Sequence, residues 1–145
     1  MDTTEAKALG LRIFDEQNLN GWRFKFDTAK KRFGVCSHAR RTISLSRALV
    51  LLNGREAVED TIRHEVAHAT VGPGHGHDAA WKAECRRVGA KPVRCYSGDD
   101  VVRAPTPWTF TCAEGCNGGR FRRPDPRRTW YCKRHRALVT WKAGV

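Results

Sequence analysis

The 145-residue sequence contains, at positions 64–68, the pentapeptide His64-Glu65-Val66-Ala67-His68, which has the pattern HExxH. Residues four positions apart lie on one face of a helix, so the two imidazoles can bind one metal ion. The carboxylate of Glu65 stands beside them and can take a proton from an attacking water. Zinc is the ion that this donor set favours. The motif therefore predicts a catalytic zinc site with His64 and His68 as ligands and Glu65 as general base.

The residues around the motif predict the helix that carries it. Small or apolar side chains recur at every fourth position from Val58 to Thr70, and the glycine–proline turn at residues 72–74 ends the pattern. Asn53, followed three positions later by Glu56, predicts a capping box at the start of this helix.

A second helix should follow closely, with Asp78 as its N-cap and Gly89 as its stop. A catalytic zinc ion usually has a third protein ligand, and His75, His77 and Glu84 are the candidates here. His77 is the first choice because it immediately precedes the second helix on a glycine-rich turn that can fold back over the first. His75 is the second choice and Glu84 the third.

Upstream of the motif, the patterns predict one helix and then short strands. Residues 5–19 have a helical spacing of apolar side chains, whereas residues 22–26 alternate between apolar and polar, as a half-buried strand does. Residues 32–36 and 40–45 predict two further strands, and we expect the strands to form an antiparallel sheet. The order of elements predicts an α+β domain.

The motif and its surroundings resemble the SprT/Spartan family of zinc metallopeptidases. In that family a histidine follows HExxH and an aromatic residue stands four positions later, a spacing that His77 and Trp81 have and His75 lacks. The resemblance also includes Trp22 and the segments 33–36 and 42–46, and spans roughly residues 5–135. It implies a zincin-like minimal metallopeptidase domain, and proteolysis of proteins bound or crosslinked to DNA.

A second candidate metal site lies in the last third of the chain. Its residues form the pattern C-x3-C followed by C-x2-H: Cys112, Cys116, Cys132 and His135. Since thiols stay reduced inside cells, structural zinc explains them better than disulfides do. We expect a ribbon-like β module with a short hairpin at residues 120–131. The resembled family often has a zinc ribbon here, usually with four cysteines, so His135 and Cys95 both remain candidates for the fourth ligand.

The charge of the chain indicates an anionic partner. It contains 27 basic and 15 acidic residues, a formal net charge of +12. Residues 101–145 hold ten basic and two acidic residues, a net of +8. Such a surface favours backbone or single-strand contacts with DNA. Five arginines between the two cysteine pairs are the candidate contacts: Arg120, Arg122, Arg123, Arg127 and Arg128.

The sequence predicts two domains and an intracellular location. We place the metallopeptidase domain at residues 1–98, and the linker and basic zinc-ribbon-like module at residues 99–145. The start of the chain lacks the features of a secretory signal, and no apolar run approaches the roughly 20 residues of a membrane span. We therefore expect a cytoplasmic protein, nucleoid-associated or nuclear if it binds DNA.

Three functions are compatible with these observations. The first is a zinc metalloendopeptidase that acts on DNA-associated or DNA-crosslinked proteins. The second is a nucleic-acid-binding zinc protein whose HExxH site is not catalytic, and the third is a peptidase that cleaves one regulator and has no DNA role. The sequence predicts neither the cleavage site nor the oligomeric state.

Overall fold

The computed structural model describes residues 1–94 and 100–144. The chain packs as two units, Met1–Ala104 and Pro105–Val145. The boundary expected from the sequence, at residues 98/99, falls in the segment 95–99. Cys95 and the predicted boundary therefore lie outside the described residues.

The first unit combines four helices with a three-stranded sheet, which confirms the expected α+β class. In chain order its elements are α1 Thr3–Glu16, β1 Arg23–Asp27, β2 Gly34–Ser37, β3 Thr42–Ser46, α2 Arg47–Leu52, α3 Arg55–Val71 and α4 Ala79–Val88. Helix α3 packs against α1, α4 and the sheet, so the HExxH motif lies at the centre of the unit. In the described part of the chain, no helix has the length and apolar character needed to cross a membrane.

The sheet is mixed, not antiparallel as expected. Its order is β1-β3-β2; β3 pairs antiparallel with β2 but parallel with β1. After β1 the chain forms β2 at the opposite edge of the sheet. Strand β3 then lies between β1 and β2 and runs parallel to β1. Alternation of apolar and polar residues shows which side chains are buried but not which way a neighbouring strand runs.

The core explains why these segments adopt these structures. Central strand β3 is buried on both faces, with Ile43 and Leu45 fully inaccessible. From α3, the predicted four-residue repeat places Val58, Ile62 and Val66 in the same core, each also fully inaccessible. The buried face of α3 thus fixes the helix against the sheet and orients the adjacent motif residues.

The helix ends confirm one predicted cap and correct another. Asp78 accepts a hydrogen bond from the backbone N–H of Trp81 at 2.9 Å, and Gly89 ends α4 with φ of 80°, as expected. The N-cap of α3, however, is Gly54, without a side-chain cap bond. Asn53 instead donates to the carbonyl of Leu49 and exchanges hydrogen bonds with the backbone of Val102. Hydrogen bonds to a residue that is distant in the sequence therefore use the Asn53 side-chain amide, which the local pattern predicts as a helix cap.

The second unit is a small β module with strands β4 Trp108–Thr111, β5 Asn117–Arg120 and β6 Lys142–Ala143, in the order β5-β4-β6. The expected hairpin at residues 120–131 is wrong, because the hairpin is formed by β4 and β5 around the first cysteine pair. A tight turn there contains Gly115 with φ of 78°, a conformation that favours glycine. Three residues form the buried core of this unit: Cys112, Cys132 and Val139.

Candidate active site

Helix α3 and the turn before α4 bring three histidines together. His64 and His68 project from successive turns of α3, and His77 lies next to the N-cap of α4. The Nε2 atom of His77 lies 3.3 Å from that of His64 and 3.3 Å from that of His68. Three imidazole nitrogens therefore face one common point.

The geometry of this cluster fits a zinc ion. In a tetrahedral site, ligands at about 2.0–2.1 Å from zinc lie about 3.3–3.4 Å from each other, which matches the two nitrogen separations. Burial, reinforced by the neighbouring histidines, lowers the pKa of His64 and of His68 to about 4. Both imidazoles are therefore neutral near pH 7, in the protonation state that binds metal.

The other two candidates for a third ligand have different partners. His75 Nδ1 lies 2.7 Å from a carboxylate oxygen of Asp78. Glu84 accepts hydrogen bonds from the guanidinium of Arg87, the shortest at 2.6 Å. Among the described residues, the cluster at α3 consists of His64, His68 and His77.

Trp81 supports the cluster from within the core. Its ring is fully buried, and its centroid lies 4.7 Å, 5.2 Å and 4.5 Å from the rings of His64, His68 and His77. Because Asp78 caps α4 at the Trp81 N–H, the cap also sets the position of this ring. One indole thus limits the rotation of all three imidazoles.

Glu65 lies beside the histidines and is largely buried. It is 7% exposed, and burial raises its pKa to about 7 despite the opposing effects of the Arg32 charge and of a hydrogen bond from the Cys36 backbone. A Cβ at Gly34 would lie 2.8 Å from the Glu65 Cγ and Oε1 atoms. Strand β2 can therefore approach the carboxylate this closely only with glycine at position 34.

His38 is a site residue that sequence reasoning missed. It lies between β2 and β3, and its Nε2 donates a 2.8 Å hydrogen bond to the carbonyl of His68. Trp22 packs its ring against the other side of the imidazole. No motif marks His38 in the sequence, because its position depends on the fold of the sheet.

The described residues of the site line a cleft of about 560 Å³ in the first unit. His64, Glu65, His68 and His77 all contribute to its wall. The wall also includes five basic side chains: Lys30, Lys31, Arg32, Arg94 and Arg103. A water, a carbonyl group and the flanking residues of a peptide can therefore meet the histidine cluster and Glu65 in one open cleft.

The second unit brings together the other predicted ligand set: Cys112, Cys116, Cys132 and His135. His135 Nδ1 lies 3.5 Å from the sulfur of Cys112 and 3.5 Å from that of Cys116. A tetrahedral zinc ion with Zn–S near 2.3 Å and Zn–N near 2.0 Å gives a separation of roughly 3.5 Å, so this donor set also fits zinc.

The arginines of the second unit have different surroundings. Arg120 is half-buried, and its guanidinium lies 4.7 Å from the centre of the Trp130 ring. Arg128 forms an ion pair with Asp125, whereas Arg122 and Arg127 are exposed. Arg123 is also exposed and lies 5.8 Å from the Trp108 ring. Arg120 thus packs within the unit as well as adding to its charge.

The fold and the site define a class, the zincin-like metallopeptidases with an HExxH motif on a central helix. The chain belongs to the SprT-like family, whose family model matches residues 6–100. This confirms the resemblance over residues 6–100, a shorter span than the residues 5–135 expected from the sequence. No curated protein matches the chain.

Two solved structures are similar to this chain. The metallopeptidase zymogen jannalysin of Methanocaldococcus jannaschii is 19% identical, with a TM-score of 0.50 over 66% of this chain and 85% of that one. The metallopeptidase zymogen abylysin of Pyrococcus abyssi is 21% identical, with a TM-score of 0.49 over 57% of this chain and 78% of that one.

Proposed function

We propose that this protein is a zinc-dependent endopeptidase that cleaves proteins bound or crosslinked to DNA. The convergence of three imidazole nitrogens beside a buried glutamate, in a cleft open to substrate, is the observation that carries the peptidase part. His64, His68 and His77 would hold the zinc ion. When bound, zinc would supply Lewis-acid chemistry, polarising the peptide carbonyl and acidifying water.

Glu65 performs the proton transfers of the reaction. Its carboxylate takes a proton from water as the water oxygen bonds to the peptide carbonyl carbon. It then gives that proton to the departing nitrogen as the C–N bond breaks, so the products are one new carboxylate terminus and one new amine terminus. The burial of Glu65 limits competing contacts with solvent.

The His38 hydrogen bond and the Trp81 ring hold the ligands for this chemistry. His38 bonds to the main chain of His68, and the Trp81 ring packs against the imidazoles, so both are positioning residues. A fixed ligand geometry lowers the cost of reorganisation when substrate binds.

The second unit supports the DNA part of the proposal. Residues 105–145 have an excess of seven positive charges, and Arg122, Arg123 and Arg127 are exposed. Its cysteine–histidine site would hold a structural zinc ion that stabilises a module with few buried apolar residues. Contacts from such arginines to phosphates would place the protein near DNA-bound substrates. A DNA-bound substrate implies action in the cytoplasm, at a nucleoid or in a nucleus.

Three variants of the full chain test the proposal. We expect two zinc ions in the purified wild-type protein, loss of one in His77→Ala, and loss of the other in Cys132→Ala. Glu65→Gln should keep both ions but lose cleavage of a DNA-bound protein. Cleavage by Glu65→Gln at the wild-type rate would refute the mechanism.

The response to DNA separates the remaining functions. Under this proposal, DNA stimulates cleavage of a protein that binds it, and the stimulation declines as salt rises. DNA binding without proteolysis would favour a non-catalytic binding protein. Cleavage that is indifferent to DNA and salt would favour a peptidase for one specific regulator.

A further inference from the structure

The walls of the active-site cleft are strongly basic. Basic side chains reach the cleft from three places in the first unit: residues 30–32 between β1 and β2, Arg94 after α4, and Arg103. Among the described residues that line the cleft, Glu65 is the only acidic one. The basic groups thus surround the site and are not confined to one loop.

Most of this charge is not balanced locally. Arg32 forms a 2.8 Å ion pair with Asp27, which offsets part of its charge. Within the parts of the chain that the structure describes, Lys31, Arg94 and Arg103 are exposed and form no ion pair with an acidic side chain. A cleft with walls of one sign concentrates its field in the space between them. That field acts on whatever occupies the cleft.

The occupant of this cleft is the substrate polypeptide. Because the peptide bond must reach His64, His68 and Glu65, the residues on either side of that bond lie along the same 560 Å³ space. These flanking side chains therefore face the basic walls. Acidic side chains would gain from that proximity, and lysine or arginine would be repelled.

We propose that the active-site cleft selects peptide segments with acidic residues close to the cleaved bond. This inference rests on the proposed peptidase function and names its substrate class. The basic residues of the cleft act as specificity determinants, since they distinguish among peptides. Arg94 and Arg103, on separate segments from residues 30–32, are the most direct test of it.

The experiment uses the zinc-loaded full chain and three fluorogenic peptides that differ only at their polar positions, which hold glutamate, glutamine or lysine. We expect kcat/KM to be highest for the glutamate peptide and lowest for the lysine peptide, with the preference decreasing as salt rises. Arg94→Glu and Arg103→Glu should each lower the preference for the glutamate peptide over the lysine peptide by about two- to fivefold, the range expected of one exposed charge pair. The control Arg47→Glu changes an exposed arginine that does not line the cleft and should leave the preference unchanged.

A binding measurement separates failure of this inference from failure of the peptidase function. Fluorescence anisotropy with the Glu65→Gln variant should give the same order of affinity, with the glutamate peptide bound most tightly. Preferential binding without cleavage of any peptide by the wild type would refute the peptidase function and keep the selectivity of the cleft. Equal binding and cleavage of all three peptides would overturn the inference. It would also be overturned if the Arg94→Glu and Arg103→Glu variants lost affinity for an oligonucleotide while peptide preference stayed unchanged, since the cleft would then bind nucleic acid.

Discussion

The close approach of Gly34 to Glu65 makes the position of the proposed general base depend on the lack of a side chain at residue 34. A Cβ at position 34 would lie 2.8 Å from the Glu65 Cγ, whereas carbon atoms in ordinary contact are at least about 3.5 Å apart. In Gly34→Ala, either β2 or the glutamate must therefore move by about 0.7 Å. Misplacement of a reacting group by about 1 Å can cost on the order of 100-fold in rate.

We expect Gly34→Ala to lower kcat by roughly 30- to 100-fold while the zinc content stays at the wild-type level, because the three atoms nearest to the added Cβ all belong to Glu65 and none to a histidine. The assay is cleavage of a fluorogenic peptide at saturating substrate, with zinc measured by mass spectrometry. Overpacking should also cost about 1–3 kcal/mol in the free energy of unfolding, measured in urea.

Gly54→Ala is the matched control, since a Cβ there has no atom within 4 Å. It should keep wild-type kcat, with at most a small loss of stability from the helix cap. A Gly34→Ala enzyme with kcat within threefold of wild type would show that Glu65 does not depend on this contact. Loss of zinc from the variant would show that the strand positions the histidines instead.

Three further predictions concern the core, the thiols and the basic surface. Trp81→Ala should cost about 3–5 kcal/mol in the free energy of unfolding, measured in urea, and weaken zinc binding, because it leaves a cavity under the ligands; unchanged zinc affinity would contradict its positioning role. Burial raises the pKa of Cys36 and of Cys85 to about 12, so at pH 9 iodoacetamide should alkylate them at least about 100-fold more slowly in the native protein than in guanidinium, as followed by mass spectrometry. Because both pKa values are raised in the folded state, the contribution of the protonated thiols to stability is present below about pH 9 and declines as the pH rises toward 12. Equal alkylation rates in the native and the unfolded protein would refute the raised pKa values. Replacing Arg122 and Arg127 by alanine should reduce the salt dependence of single-stranded DNA affinity by about 1.4 in the slope of log K against log salt, and an unchanged slope would show that neither contacts phosphate.

Local sequence patterns were sufficient to predict three of the four helices of the first unit, α1, α3 and α4. The repeat from Val58 to Thr70 and the turn at residues 72–74 predicted α3, because one face of that helix is buried along its length. Asp78 and Gly89 predicted the ends of α4, since caps are short-range interactions. The spacing of HExxH and the turn before α4 also indicated that His77 would join His64 and His68.

Features that depend on tertiary structure were not predictable in the same way. The parallel pairing of β1 with β3 depends on where the chain crosses the sheet, and alternation carries no such information. Asn53 has a capping pattern, but its amide bonds to Val102, which is far away in the sequence. The roles of Gly34 and His38 arise from contacts of the sheet with α3, so a single sequence gives no local signal for either.

The indole of Trp81 has an energetic consequence for the metal site. Since its ring contacts His64, His68 and His77, the effects of substitutions at these three positions are not independent of one another. Changes in residues that share a packing partner combine non-additively, often by 0.5–3 kcal/mol in general. Any redesign of one proposed ligand therefore has to be made together with the indole, and we expect the histidine cluster and Trp81 to respond to substitution as one cooperative unit of four side chains.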